Sequence, residues 1–191
     1  QSFSSEMMKS LGRDHKVEKV FSAYAMIREK ATFLVNLELI FGAPGQTLDM
    51  WEFDLRTAAE LEPDHLSTYC LTFEEDTAMY VRLSEGKIEL DIEREAEFYE
   101  KAWSVLPQLG YPQYEVSNFS RPGRACLHNL NTWRMQEWIG YGPGASTQHK
   151  GVRRKNSANL EKWSAGMSDG KNPAYEECIK VGDRDLAGDA I

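Results

Sequence analysis

The chain has 191 residues, 41% of them hydrophobic and 27% charged, as expected for a globular domain with a buried core. Its net charge of −8 argues against non-specific binding to nucleic acid or anionic membranes, because both require an excess of Lys and Arg. No stretch approaches the roughly 20 apolar residues of a membrane span. We therefore expect no nucleic-acid partner and no membrane span.

Cysteine usage gives a second constraint. Cys70, Cys126 and Cys178 are widely spaced, and their odd number is not that of a disulfide framework. This pattern indicates a reducing compartment. It also excludes a local CxxC or CxxxCxxC metal motif within the chain.

The first part of the chain predicts alternating strands and helices. After a strand end at Gln1 and a short helix that Gly12 ends, a helix is predicted from about Lys16 to Ala31. The segment from Val35 to Ile40 alternates as a strand does, and a Pro-Gly turn separates it from a helix at Thr47 to Leu61. A second strand is predicted at His65 to Thr72. This order with short connections implies parallel strands joined by crossover helices.

The rest of the chain has a weaker pattern. Glu74 to Glu89 predicts a loop, Asp91 to Leu109 a long helix, and Gln113 to Asn118 a short strand. The segment from Phe119 to Lys155 is rich in Gly, Asn, Arg and Trp without helical periodicity, and loops of this length usually carry function. The acidic tail predicts a helix near Tyr175 to Lys180.

Glu38 is the most unusual residue of the first strand, because a carboxylate among apolar residues is costly unless something pairs with it. It points either into a ligand site or into a structural ion pair with a base such as Arg13. Arg13 can equally bind a ligand carboxylate through its fork of donors. Both interpretations stay open from the residues alone.

The run His128 to Trp133 contains the strongest set of candidate ligand-binding side chains. A neutral imidazole can ligate iron, and an aromatic ring can stack on a flat macrocycle. Spacing alone favours the simpler interpretation, in which His and Asn side chains satisfy turns. Cys126 is either a second ligand or, more often for this residue type, a small buried thiol.

Two further segments carry weaker patterns. The glycine-rich stretch from Ile139 to Thr147 lets the backbone approach a ligand, although a turn is the default interpretation. The basic run Lys150 to Lys155 predicts a solvated loop, with a patch for ligand carboxylates as the alternative. We interpret the remaining histidines as surface or loop residues and most tryptophans as packing residues: His15, His65, His149, Trp51, Trp103, Trp138 and Trp163.

Taken together, several segments resemble the HemW-like group of radical S-adenosylmethionine proteins, which are relatives of the oxygen-independent coproporphyrinogen III oxidases. The resemblance runs in the family's order from residue 1 to about residue 163. It is carried by Gln1-Ser2-Phe3, Leu11-Gly12-Arg13, Asn36 to Thr47, Pro63 to Thr72, Tyr114 to Phe119, His128 to Arg134 and Gly140 to Ser146.

The resemblance implies an α/β fold: the C-terminal portion of a six-stranded, partial TIM-type (βα)6 barrel, followed by an α+β extension. Residues 1–110 would form the second half of the barrel. Residues 111–170 would form the HemW-type extension, and residues 171–191 would start a truncated C-terminal helical region. Because the chain starts with Gln, we also expect it to be part of a longer polypeptide.

The resemblance also implies site residues. S-adenosylmethionine contacts fall on Gln1, Arg13, Glu38, Thr72, Ala145 and Ser146, with Glu38 where the family more often has Asp. The haem motif H-N-x-x-Y-W appears as H-N-L-N-T-W, so Thr132 replaces the tyrosine. Implied haem contacts are His128, which is also the iron ligand, Asn129, Asn131 and Trp133. The family's CxxxCxxC segment has no counterpart here, so we expect a 4Fe-4S cluster only in the full-length protein.

Three functions are compatible with this sequence. The first is a protein that binds haem and delivers it to acceptor proteins. The second is oxygen-independent oxidative decarboxylation of coproporphyrinogen III in porphyrin biosynthesis, and the third is an inactive fragment. We expect a cytoplasmic location, or a mitochondrial one in a eukaryote.

Overall fold

The computed structural model describes residues 1–14, 16–30, 32–75, 77–88, 92–168 and 174–182. The chain divides into two compact units, Gln1–Ala125 and Cys126–Ile191. The predicted division at residues 110 and 170 stays a prediction. Within the described ranges, no helix is both long enough and apolar enough to cross a membrane. His15 and Asp91 lie outside the described residues.

The first unit alternates helices with the strands of one small sheet. The elements are α1 (Ser5–Ser10), α2 (Val17–Lys30), β1 (Asn36–Phe41), α3 (Leu48–Glu60), β2 (His65–Cys70), α4 (Ala78–Ser84), α5 (Ile92–Gln108) and β3 (Asn118–Ser120). In the sheet, with the order β1-β2-β3, β1 is parallel to β2 and β2 is antiparallel to β3.

The core of this unit lies between one face of the sheet and the helices α3 and α5. Leu39 and Phe41 of β1 project to this face and are almost fully buried. Trp51 of α3 and Phe98 of α5 pack around Phe41, with ring centroids 5.2 and 5.9 Å from it. The Trp51 indole N–H donates to the Phe98 carbonyl oxygen at 3.0 Å, so the largest buried side chain also satisfies its polar atom.

The second unit contains a three-stranded antiparallel sheet with the order β4-β5-β6. A tight turn with positive φ at Lys150 and Gly151 joins the first two of these strands. The elements are α6 (Leu127–Trp133), β4 (Ser146–His149), β5 (Val152–Asn156), α7 (Leu160–Ser168) and β6 (Tyr175–Lys180).

The structure confirms the long predicted elements of the first unit. Helix α3 begins after Thr47, whose Oγ1 accepts a hydrogen bond from the Met50 N–H at 3.2 Å, as a capping threonine does. Helices α2 and α5 and strands β1 and β2 also lie where periodicity places them. Local pattern was sufficient for α3 because a capping threonine precedes a buried stripe, and for the other elements because their hydrophobic periodicity is long or ends in a turn.

Several predictions for the weaker segments were wrong. The predicted loop at Glu74 to Glu89 contains α4, which Thr77 caps by accepting from the Tyr80 N–H. The predicted strand at Gln113 to Asn118 is reduced to one bridge between Gln113 and Phe119, since β3 begins only at Asn118. The predicted long loop at Phe119 to Lys155 contains α6, β4 and most of β5, so the basic run is largely strand. Tyr175–Lys180 is a strand and not a helix, because pairing with β5 satisfies its backbone.

A buried carboxylate fixes the start of the chain against α3. Asp54 is fully buried and accepts hydrogen bonds from the Ser2 hydroxyl and the Phe3 N–H, each at 2.6 Å. Burial raises the pKa of the Asp54 carboxyl, and the two donors oppose this shift. The adjacent Gln1 carbonyl accepts from the Ile40 N–H at 2.8 Å, which places residue 1 beside β1.

We expect Asp54→Ala to lower the free energy of unfolding by about 2–4 kcal/mol, because it leaves two buried donors without acceptors. Chemical denaturation followed by circular dichroism measures the change. Glu60→Ala removes an exposed carboxylate from the same helix and serves as the matched control. Equal destabilisation by both substitutions would show that Asp54 does not anchor the chain start.

Candidate functional site

Four of the six residues implied for S-adenosylmethionine lie in the first unit. Glu38 is an exposed residue of β1, and Thr72 is exposed just beyond the C-terminal end of β2. Gln1 lies beside β1, because its carbonyl accepts from the Ile40 N–H at 2.8 Å. Arg13 follows the short helix α1, and its N–H donates to the Met8 carbonyl at 2.8 Å. The structure therefore brings Gln1 close to the strand that carries Glu38.

The side-chain oxygen of Gln1 is placed as expected for a contact with a bound ligand. Its side-chain oxygen is buried and, among the described residues, accepts no hydrogen bond. A buried acceptor without a donor is unusual in folded proteins and calls for a partner. An amino or hydroxyl group of a ligand such as S-adenosylmethionine is a donor of the kind this oxygen lacks.

Among the described residues, the structure does not contain the ion pair that was one interpretation of Glu38. Within the described part of the chain, no basic group lies within 4 Å of its carboxylate. Its closest polar contact is a weak one from the Asn36 side-chain amide at 3.4 Å. Glu38 thus keeps acceptor capacity for a ligand on the exposed face of β1.

A polar network beside Glu38 was not predicted from the sequence. His65 was interpreted as a surface or loop residue, and this was wrong: it is only 5% exposed and opens β2 opposite Asn36. Its Nδ1 lies 2.8 Å from the Asn36 Oδ1, and its Nε2 lies 2.6 Å from the Tyr114 hydroxyl. Burial lowers the pKa of the His65 imidazole, while the charge of Glu115 opposes the shift.

The hydrogen bonds of this network fix the proton on His65. Because the Asn36 Oδ1 can only accept, the neutral imidazole carries its proton on Nδ1 and donates it there. Nε2 is then the acceptor for the Tyr114 O–H. The Asn36 amide in turn donates to the Ser67 hydroxyl at 3.2 Å and towards Glu38.

The network continues across the sheet to a second carboxylate. The Ser67 hydroxyl donates to the Asn118 Oδ1 at 2.9 Å, and the Asn118 amide donates to Glu115. Two short series of hydrogen bonds therefore end at the carboxylates of Glu38 and Glu115. A sequence signal for this face existed, since polar residues occupy matching alternate positions of the two predicted strands, but it depends on knowing the strand register.

The residues implied for haem lie together on α6 in the second unit. His128 is exposed, whereas Asn129, Asn131 and Trp133 are half-buried. The Asn131 amide donates to the Glu137 carbonyl at 3.0 Å, so this side chain also stabilises the turn that follows the helix. Thr132 lies one turn after His128 and donates to its carbonyl oxygen at 2.9 Å. The exposed imidazole is available to a ligand.

Ala145 and Ser146 end the glycine-rich loop of the second unit. The Asn156 N–H donates to the Ala145 carbonyl at 2.9 Å, and the Trp138 indole donates to the Ser146 carbonyl at 3.1 Å. At Gly140 any Cβ would collide with the Ser146 carbonyl, so only glycine fits. The loop is therefore a fixed structure and not a simple turn.

Across the described residues, no group of three or more His, Cys, Asp or Glu side chains is placed to hold a metal ion. Cys70, Cys126 and Cys178 are thiols and take part in no disulfide. Burial and the nearby Glu95 raise the pKa of the Cys70 thiol to about 11, so it is protonated near neutral pH.

Comparisons with curated proteins identify relatives under two names. The chain is 37% identical over 157 residues to the heme chaperone HemW of Bacillus subtilis (strain 168), covering 82% of the chain and 41% of the relative. It is 39% identical over 145 residues to the HemW of Escherichia coli (strain K12), covering 76% and 38%. A zebrafish relative, radical S-adenosyl methionine domain-containing protein 1, mitochondrial, is 35% identical over 146 residues, covering 76% and 33%. The chain thus spans about two fifths or less of these relatives. No family model matches it.

A comparison with solved structures supports the fold. The coproporphyrinogen III oxidase HemN of Escherichia coli, described as a radical SAM enzyme, superimposes with a TM-score of 0.79. The match covers 99% of this chain and 46% of that chain at 20% sequence identity. At this identity the likeness shows the fold alone, and it confirms the predicted α/β fold class of radical SAM barrels.

We expect the pH dependence of stability to change in His65→Gln. Because burial lowers the His65 pKa below its ordinary value of 6.5, the folded protein resists protonation more than the unfolded chain does. The stability contributed by neutral His65 is complete above pH 6.5 and is lost as the pH falls through the folded pKa.

Urea unfolding at pH 7.5 and pH 5.5 measures this effect. The parent should lose more stability between the two pH values than His65→Gln does, and His128→Gln, which removes an exposed imidazole, serves as the control. An identical pH dependence in parent and His65→Gln would contradict the neutral, buried imidazole.

Proposed function

Because the chain belongs to the HemW-like family of radical S-adenosylmethionine proteins, we propose that it binds haem through His128 and takes part in delivering haem to acceptor proteins. The observation that carries the proposal is the exposed imidazole of His128 on α6, within the motif H-N-L-N-T-W. The names of the bacterial relatives support the same function. The relatives' full length is more than twice the length matched here, so delivery is a proposal for the longer protein.

The chemistry of α6 supports a haem contact. A neutral imidazole is a common axial ligand of haem iron, and an exposed one needs no rearrangement to reach it. Asn131 and Thr132 lie three and four residues after His128 on α6, so they share its face of the helix, whereas Asn129 and Trp133 lie on a neighbouring face. The face of His128 presents a nitrogen ligand to a macrocycle, and haem contacts by Asn129 and Trp133 rest on the family resemblance.

We further propose that S-adenosylmethionine is bound by Gln1 and Glu38 beside β1, with Arg13 and Thr72, which follows the C-terminal end of β2, as further contacts. The buried, unpartnered Gln1 oxygen and the unpaired acceptor capacity of Glu38 support this site. Ala145 and Ser146 are further contacts that only the family resemblance supports. When bound, S-adenosylmethionine supplies a sulfonium centre, and a 4Fe-4S cluster is proposed for the full-length protein alone.

The cellular setting is also part of the proposal. We propose a cytoplasmic location for a bacterial form and a mitochondrial one for a eukaryotic form, since the zebrafish relative is named as mitochondrial. The acceptor proteins that would receive haem are part of the proposal for the longer protein.

Haem titration tests the central claim. We expect the parent to bind haem saturably with a shifted Soret band, and His128→Ala to weaken binding at least tenfold because it removes the iron ligand. His149→Ala removes a histidine elsewhere in the same unit, where it pairs with Glu137, and serves as the control. Equal, weak and unsaturable uptake by the folded parent and both variants would refute His128 as the ligand.

A second variant tests the departure from the family motif. Thr132 lies one helical turn from His128 at the position where the resemblance implies tyrosine. We expect Thr132→Tyr to tighten haem binding about threefold to tenfold, because an aromatic contact contributes about 0.5–1.5 kcal/mol. Thr132→Val, which removes only the hydroxyl, is the control in the same titration. Unchanged affinity in Thr132→Tyr would show that the ring does not contact haem.

A further inference from the structure

The second unit contains a cavity whose lining residues do not include His128, the proposed ligand of haem iron. It has a volume of about 630 Å³, within the range of about 300–1,000 Å³ typical of small-molecule sites. One face of the β4-β5-β6 sheet forms its floor, and α7 and the glycine-rich loop form its sides.

The walls of the cavity are mainly apolar and aromatic. Ile139 and Tyr141 come from the glycine-rich loop, Trp163 and Met167 from α7, and Tyr175 from the start of β6. Ile139, Tyr141 and Met167 are more than half exposed, and apolar side chains of this size are costly to leave in water. Three aromatic rings around one cavity suit a flat aromatic ligand.

Two buried polar side chains of the floor hold the loop in place. The Thr147 hydroxyl accepts from the Gly140 N–H at 3.0 Å, and the Asn156 amide donates to the Gly142 carbonyl at 2.8 Å. Both residues are at most 5% exposed. Because the loop is held from below, the cavity is built before any ligand arrives.

Two other side chains in the walls, Arg154 and Trp163, carry hydrogen-bond donors that can bind a ligand. The Arg154 guanidinium lies 5.0 Å from the Tyr175 ring centroid, and among the described residues no carboxylate lies within 4 Å of it. The Trp163 indole N–H is buried and has no acceptor within the same described part of the chain. A buried donor without an acceptor in the wall of a cavity is a second, independent indication of a ligand.

We propose that this cavity binds a flat aromatic ring system that carries a carboxylate, with its ring against Trp163 and Tyr175 and its carboxylate at Arg154. A porphyrin bearing propionates has this chemistry, and its choice as occupant rests on the proposed function. The guanidinium supplies charge-assisted hydrogen bonds to the carboxylate, and the aromatic walls bury the ring. The basic run then supplies one ligand-binding residue, Arg154, from within a strand.

Iron-free protoporphyrin IX is the probe, because its binding uses ring and carboxylate contacts and no iron ligand. We expect the parent to bind it saturably by porphyrin fluorescence anisotropy and Arg154→Met to weaken binding about tenfold. Lys155→Met removes the same charge from an exposed neighbour on the same strand and should change affinity less than twofold. Trp163→Phe keeps an aromatic wall but removes the N–H donor, and should weaken binding about threefold.

The outcomes distinguish binding in this cavity from haem ligation by His128. His128→Ala should leave protoporphyrin binding unchanged, since the probe has no iron for it to ligate. Affinity that is equal in Arg154→Met and the parent, or reduced equally in Arg154→Met and Lys155→Met, would overturn the cavity as the binding site. Loss of Soret-monitored haem binding in His128→Ala with unaltered protoporphyrin binding in Arg154→Met would retain the proposed function and reject this site. Circular dichroism confirms that every variant compared is folded.

Discussion

The parallel pairing of β1 with β2 is the constraint on which the first unit depends. Its register sets Asn36 beside His65 and Glu38 beside Ser67, so that the polar positions of both strands fall on one face. The opposite face carries Leu39, Phe41 and Leu66 into the core. A shift of one residue would exchange the two faces of a strand, moving polar side chains such as Glu38 into the core and apolar ones such as Leu39 out of it. The hydrogen-bonded network and the buried core are therefore two results of the same pairing.

Much of the first unit could be predicted from the sequence because its elements are specified locally. Thr47 at a helix start and the buried stripe of α3 are short-range patterns. His65 shows the limit of such patterns, because its partners Asn36 and Tyr114 are 29 and 49 residues away. Nothing in the neighbourhood of His65 indicates that its imidazole is enclosed, so the prediction of a surface residue failed.

The second unit was harder to predict for a related physical reason. Its strands are short and polar, and their stability comes from pairing with one another and not from an alternating apolar face. Tyr175–Lys180 is mostly exposed and forms a strand because β5 offers it backbone partners. The residues themselves made His128 a candidate ligand, but its role and that of Ser146 could be assigned only through the family resemblance, because their spacing alone is compatible with ordinary turns.

The close approach of Gly140 to the Ser146 carbonyl has a consequence for how the adjacent cavity adapts to a ligand. A Cβ at Gly140 would collide with that carbonyl, and the Thr147 and Asn156 hydrogen bonds hold the loop on the sheet, so the main chain beside the cavity is fixed in position. Adjustment to a ligand is therefore left to the exposed side chains of the walls, Ile139, Tyr141 and Met167, and not to the backbone.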